Sequence, residues 1–305
     1  MMNERTGKTL RNDDAKGSII LLLTAFIWGF CLVGQATGME VMGPLSFSAV
    51  RLTLGGVSML PLVLILDRRK LAKNPEFDIR GEYRACFRAA VICAPVIWIT
   101  ILLQQYGLLY TSVGKCAFVT AFYIFLVPLF GIPLGRRVSA KMWSAVVMAM
   151  AGLYLITMHG DIEKVNIGDM ICLCAAVTYS IDIHMIETFA AKVDKVKMSM
   201  IQFTLCGLFS FVGAFIFEPG QITWEHCVYS AVPILVTGIV SCAVGFTLQM
   251  IGQIYTGAAK ASLLLSSETL FSLLAGMIFL RERMIAVEYA GCAVMAVAIL
   301  MSFRE

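Results

Sequence analysis

From Gly17 to Phe303, long apolar runs alternate with short clusters of charged and turn residues. Each run approaches the roughly 20 residues that an α-helix needs to cross a hydrocarbon layer about 30 Å thick. Helices are the natural reading, because a backbone in lipid must satisfy its own hydrogen bonds. The pattern predicts spans near Gly17–Thr37, Leu45–Leu66, Cys86–Leu109, Thr111–Leu134 and Met142–Met158. A second set falls near Gly168–Ile186, Met198–Phe217, Cys227–Gln249, Ala258–Leu280 and Val287–Phe303. Most connections are short, so sequence neighbours are expected to pack antiparallel. The first run follows Arg5, Lys8, Arg11 and Lys16, as a secretion signal would. It stays uncharged from Gly17 to Met39, longer than a usual signal core, and is read as a retained helix.

Lysine and arginine set the expected direction. With the N-terminus in the cytoplasm, the inner segments hold those four tail cations, then Arg68, Arg69, Lys70, Lys73, Arg80, Arg84 and Arg88. Arg136, Arg137, Lys141, Lys192, Lys195 and Lys197 follow in later inner loops, whereas the outer loops hold Lys164, Arg281 and Arg283. Ten spans then place both termini in the cytoplasm, and the expected location is the plasma membrane.

The halves also resemble each other. At an offset of 151, Gly17, Ala25, Trp28 and Gly29 fall on Gly168, Ala176, Tyr179 and Ser180. Arg51, Thr53 and Leu54 fall on Gln202, Thr204 and Leu205. Later the offset is 145. Tyr110, Thr111 and Lys115 then meet Tyr255, Thr256 and Lys260, while Gly131 meets Gly276 and Arg136 meets Arg281. The six-residue change sits at the long basic loop of the first half. The expected organisation is a tail at 1–16, a five-helix repeat at 17–160 and a second at 161–305. An odd number of spans per repeat inverts one copy relative to the other, an arrangement that recurs in secondary transporters. The fold class is therefore an all-α membrane protein of ten transmembrane helices in two inverted repeats.

Composition agrees. Of 305 residues, 59% are hydrophobic and 14% charged, against about 25% charged in soluble domains. The net charge of +4 comes without a basic, aromatic-interleaved patch, so nucleic acid is not an expected partner. Ten cysteines and eighteen methionines read as packing residues. Cys172 and Cys174 lack the spacing of a zinc or thioredoxin site, and no metal or cofactor is expected. Gly114 and Lys115 evoke a phosphate loop, but position 109 is leucine and Lys115 is followed by Cys116. His-Glu-x-x-His and Gly-x-Ser-x-Gly do not occur.

The motifs resemble the drug/metabolite transporter superfamily, specifically its EamA-type ten-helix members. They comprise Ala25, Trp28 and Gly29 in the first span, Arg51 in the second, and the stretch from Tyr110 to Pro128. Leu280, Arg281 and Glu282 close the ninth span. The chain departs from the pattern at Glu268, which is followed by Thr269 rather than proline, and at Gly135-Arg136-Arg137, which lacks the usual glutamate. The resemblance implies a central cavity between two halves and export of amino acids or related metabolites. It supports a secondary carrier working by alternating access on a small solute in the lipid bilayer, compatible with a monomer. The rival class is a polytopic membrane enzyme acting on a lipid or lipid-linked substrate.

Ionisable groups in hydrocarbon cost about 2.5–3.5 kcal/mol on insertion scales, so they should face a cavity or a partner. Arg51, Gln104, Gln249 and Glu268 are nominated for substrate binding, with Trp28, Tyr123 and Tyr179 as aromatic lining. Glu268 is expected in mid-helix, opposite its repeat mate Tyr123, holding a cationic group or a proton, or else paired structurally with Arg51 or another donor. Lys115 and Lys260, in the first turns of their helices at opposite faces, are either entrance charges or side chains reaching the interface. Asp182, near His184, is either a proton-coupling carboxylate or, more plainly, in water at the inner end of its helix.

Overall fold

The computed structural model describes residues 2–111, 113–158, 166–275, 277–278 and 284–303. The Leu280-Arg281-Glu282 motif, Lys164, Arg283, Gly276 and the 160/161 boundary lie outside the described residues, as do the side chains of Arg5, Lys8, Arg11 and Gly114. Among the described residues the secondary structure is helical, without strands.

The first crossing is α1 (Met2–Gly38), the second α2 (Pro44–Ser58) with α3 (Leu60–Lys73), and the third α4 (Ile79–Leu108). The fourth is split into α5 (Val113–Thr120) and α6 (Tyr123–Gly131), and the fifth is α7 (Ala140–Met158). The second half follows with α8 (Ile167–Phe189) and α9 (Lys195–Phe217). After α10 (Trp224–Tyr229), its next crossing combines α11 (Ala231–Leu235), a π-helical stretch (Val236–Gly245) and α12 (Phe246–Thr256). The ninth is split into α13 (Ala258–Leu265) and α14 (Glu268–Ala275), and the tenth is α15 (Ala286–Ser302). Among the described residues, seven helical segments are long and apolar enough to span a membrane, and two shorter apolar helices, Lys115–Gly131 and Ala286–Ser302, accompany them.

Local chemistry explains the starts. Pro44 occupies the first turn of α2, where its missing N–H costs nothing. The Asp78 carboxylate accepts from Gly81 N at 2.8 Å to begin α4, and Asn166 with Asp169 forms a capping box on α8. Helix α1 also takes in residues 2–16, there being no proline in them to interrupt the backbone ladder. Two expectations change. The eighth crossing runs Ala231–Thr256, displaced from the expected Cys227–Gln249. The ninth is not continuous: Ser266 and Ser267 turn their hydroxyls onto the Leu263 and Leu264 carbonyls at 2.7 and 2.6 Å, a local bond that competes with the helix.

Packing joins the halves rather than sequence neighbours, against the expectation of antiparallel hairpins. The main pairs are α7 with α15, α2 with α9, α4 with α8, and α1 with α12 and α14. The same contact recurs in exchanged form, as a two-fold interface requires. A Cβ on Gly56 would strike Thr204, and one on Gly207 would strike Thr53. Gly17 lies against Gly252 and Tyr255, and its mate Gly168 against Gly107 and Tyr110. Small residues at these points let backbones approach where lipid supplies no hydrophobic drive.

The ends of the α2/α9 pair are tied by mated positions with different chemistry. At one end, Lys197 Nζ lies 2.8 Å from Asp67 Oδ1 and 2.6 Å from Glu82 Oε2, and Lys70 Nζ is 2.7 Å from both Glu82 and Asp194. Burial disfavours the Asp194 charge, yet the bonds from Lys70 and the Lys197 amide hold its carboxyl below the ordinary 3.8. At the other end, Glu218 (mate of Asp67) accepts from Leu45 N and Ser46 N at 3.1 and 2.8 Å. Gln221 (mate of Lys70) accepts from Gly43 N. Both ties exist in one conformation, so α2 and α9 form a spine linking the repeats.

Candidate functional site

Five of the seven nominated binding residues meet in one polar chamber of about 30 Å³. Trp28, Arg51, Gln104, Tyr179 and Glu268 line it, together with Gln35, Ile101, Ser241 and Phe246. The chamber follows the repeat, since Trp28 and Tyr179 are mates at 151, and Ile101 and Phe246 at 145. Tyr123 does not line it but packs on Tyr179, with ring centroids 5.7 Å apart. Gln249 lies elsewhere, buried at 1% exposure. Gln35, a lone amide in an apolar run, was visible in the sequence as a candidate but carried no repeat signal. Ile101 and Phe246 are apolar, and only the 145 offset links them.

Glu268 is the first residue of α14, directly after the break at 266–267, not in mid-helix as expected. The first half breaks at the mated positions 121–122, so Tyr123 opens α6 as Glu268 opens α14. Split helices of this kind bring backbone termini to a binding site in transporters. The α14 N-terminus also carries partial positive charge, which favours a carboxylate there. The backbone of Glu268 is held close to α1: a Cβ on Gly29 would come within 2.5 Å of the Glu268 carbonyl oxygen and 2.7 Å of Phe271 Cβ.

Arg51 is 2% exposed. Its Nη1 reaches Cys242 Sγ at 3.6 Å and its guanidinium lies 5.5 Å from the Phe47 ring centroid, while Nε has no hydrogen-bond partner among the described residues. Among the described residues no ion pair joins Arg51 and Glu268. The structural-pair reading of Glu268 with Arg51 is therefore not what the geometry contains. Trp28 Nε1 donates to the Ser241 carbonyl at 3.3 Å and its ring packs on Phe246 at 4.6 Å.

Asp182 is fully buried, and neither carboxylate oxygen has a hydrogen-bond partner among the described residues. The expectation of a hydrated position near Lys192 is thereby corrected. Helix α8 continues to Phe189, so Asp182 lies almost two turns inside its end. Its neighbour His184 instead bonds the Val127 carbonyl at 2.9 Å.

The two repeat-mated lysines are both 5% exposed and both paired. Lys115 Nζ is 2.9 Å from Asp169 Oδ2, and Thr111 Oγ1 donates to Asp169 Oδ1 at 2.8 Å. Lys260 Nζ is 2.6 Å from Asp14 Oδ2. Neither side chain snorkels into water; Lys115 meets a carboxylate in the first turn of α8, and Lys260 meets one at the thirteenth residue of α1. The surroundings differ. Asp14 and Lys260 line a vestibule of about 1240 Å³, open on the side of both termini. Val127, His184, Glu187 and Arg136 also line it, with Arg136 Nη1 2.7 Å from Glu187 Oε1.

The model of the EamA-like transporter family matches residues 15–158 and again 166–304. An uncharacterized transporter of Archaeoglobus fulgidus is 24% identical over 287 residues, covering 92% of this chain and 83% of its own. The uncharacterized transporter YoaV of Bacillus subtilis is 24% identical over 274 residues, covering 86% and 88%. A solved crystal structure superposes with a TM-score of 0.75 at 16% identity, covering 94% of this chain and 96% of that one, which is a likeness of fold.

Proposed function

The chain belongs to the EamA-like transporter family and is a multi-pass membrane transporter, and from that premise we propose that it exports amino acids or related zwitterionic metabolites by alternating access. The observation that carries this reading is the central chamber. It sets one cationic and one anionic side chain, unpaired with each other, in a single polar space. A zwitterion supplies what each lacks: a carboxylate for Arg51 and an ammonium for Glu268. Gln104 and Gln35 offer amides to orient it, and Trp28 and Tyr179 offer apolar walls. Asp182 is the reserve site for a coupled proton, since it is a buried carboxylate with no hydrogen-bond partner among the described residues.

At about 30 Å³ the chamber has room for roughly one water. A solute enters only if the wall moves. The Tyr123–Tyr179 pair stands where it would have to move, because α6 runs from Tyr123 to Val127 and Pro128 in the vestibule wall, while Tyr179 faces the chamber. The state described is then open toward the termini and closed by Lys115–Asp169 on the far side. The two repeats, 17–160 and 161–305, would exchange these roles while the α2/α9 spine stays tied. In this reading the protein sits in the plasma membrane with both termini cytoplasmic, Lys115 and Lys260 act as gate residues, and export loads from the vestibule.

The test is Glu268→Gln, which keeps shape and removes charge. Flux of radiolabelled amino acids is measured in proteoliposomes driven by a proton or solute gradient without nucleotide, beside thermal stability in detergent. The expected result is loss of flux at unchanged melting temperature. Undiminished flux refutes the assignment. Product formation from a lipid in detergent, with no flux in vesicles, would favour the enzyme.

A further inference from the structure

A second cavity, of about 640 Å³, lies outside the transport path, on the outer surface of the helix bundle. It crosses the junction of the repeats. Val57 and Leu60 of the second crossing and Phe87 of α4 form one wall, and Met200 and Leu205 of α9 form the other. Val57, Leu60 and Phe87 are 52, 43 and 52% exposed, so this wall faces hydrocarbon. The same cavity is lined by two arginines, Arg84 and Arg88, one helical turn apart on α4 and both exposed.

Their depth makes these arginines informative. Arg84 and Arg88 are the sixth and tenth residues of α4, about 8 and 14 Å along it from its first residue at 1.5 Å per residue. On the same helix Phe87, beside Arg88, and Val91, three residues further on, are large apolar side chains 52 and 43% exposed. Two like charges at i and i+4 repel, and neither arginine has an ion-pair partner among the described residues. Other cations at this end of the bundle, Lys70 and Lys197, are each held by two carboxylates. An exposed guanidinium pair at the rim of hydrocarbon, above an apolar groove, calls for a phosphate carried on an acyl chain.

The geometry points to a binding site for one phospholipid with a net anionic headgroup, taken from the leaflet on the side of the termini. Its phosphate would sit on Arg84 and Arg88, and an acyl chain would lie in the groove toward Val57 and Leu205. Guanidinium forks suit phosphate oxygens, and basic pockets between membrane helices bind anionic headgroups. Tyr83 also lines the groove, and its ring centroid is 4.0 Å from Lys197 Nζ. A lipid seated there touches both repeats and the ring that covers their buried ion cluster. It would act as a clip on the α2/α9 spine, away from the transported solute.

The test is titration of the detergent-solubilised full chain with phosphatidylglycerol and, separately, phosphatidylcholine of the same acyl chains, read by native mass spectrometry. Phosphatidylglycerol should be retained in preference. Arg84→Gln with Arg88→Gln should weaken that retention about 25-fold, taking each arginine as worth about fivefold near an anionic surface. Arg68→Gln with Arg69→Gln removes the same charge from exposed positions of α3 outside the groove and should leave it unchanged. Val57→Trp, which fills the apolar arm without touching charge, should also lower retention. Equal retention of the two lipids, equal loss in the two arginine pairs, or full retention in Val57→Trp would overturn the proposal. A wild-type dimer that the Arg84/Arg88 variant dissociates would assign the groove to a second copy instead, and would also overturn it.

Discussion

Replacing Lys115 with methionine tests which side of the protein is locked. The Lys115–Asp169 pair has side-chain exposures of 7 and 6%, so water screens it little. A charge-assisted hydrogen bond of this kind contributes about 1.5–3 kcal/mol, or roughly 10- to 150-fold in an equilibrium. Desolvation of both ions in the closed state opposes part of that, which favours the lower end. Methionine keeps the length and removes the charge, while Asp169 retains its bonds from Thr111 Oγ1 and from Asn166 N at 2.8 and 2.9 Å. The expected change is therefore about tenfold toward the state open on that side. Cys172 supplies the reporter. It is 0% exposed, one turn from Asp169 and 3.0 Å in Sγ–Sγ distance from Cys116. With the other cysteines replaced, its alkylation by a membrane-impermeant maleimide added from that side should run about tenfold faster in the variant, at unchanged melting temperature. The mated change Lys260→Met, at the opposite end, should not accelerate it. An unchanged rate in Lys115→Met, or equal acceleration in both variants, refutes the lock.

Two further outcomes follow from packing and from charge bias. Gly291→Leu should lower thermal stability in detergent by about 1–3 kcal/mol through overpacking, because even a Cβ there would lie 2.8 Å from the Gly152 carbonyl oxygen and from Ile156 Cγ1; an unaltered melting curve would show that α7 and α15 do not pack this closely. Cysteines placed at either terminus should resist an impermeant reagent applied outside intact cells, as the lysine and arginine distribution requires; labelling of one terminus would reverse or break the proposed topology.

Glu268 and Tyr123 mark where sequence reasoning stopped. Their repeat relation is legible from the 145 offset, yet the apolar pattern predicts continuous helices through both. Apolar periodicity records which residues prefer lipid, and it hardly registers two turn residues inside a run. Ser266 and Ser267 were a local hint, since their hydroxyls bond carbonyls three residues back.

Lys115, Lys260 and Asp182 mark the other limit. Sequence showed that each would be costly in a bilayer without a partner or a cavity. It could not show that Asp169 and Asp14 answer the lysines, or that among the described residues no side chain answers Asp182. Those facts depend on packing between helices from opposite halves. The sequence by itself determined the helical class, the repeat and the family resemblance, because the bilayer imposes length and hydrophobicity on each segment independently. The tertiary structure alone decided which charges pair, where the helices break and which residues share the central chamber, because those are relations between segments that hydropathy treats one at a time.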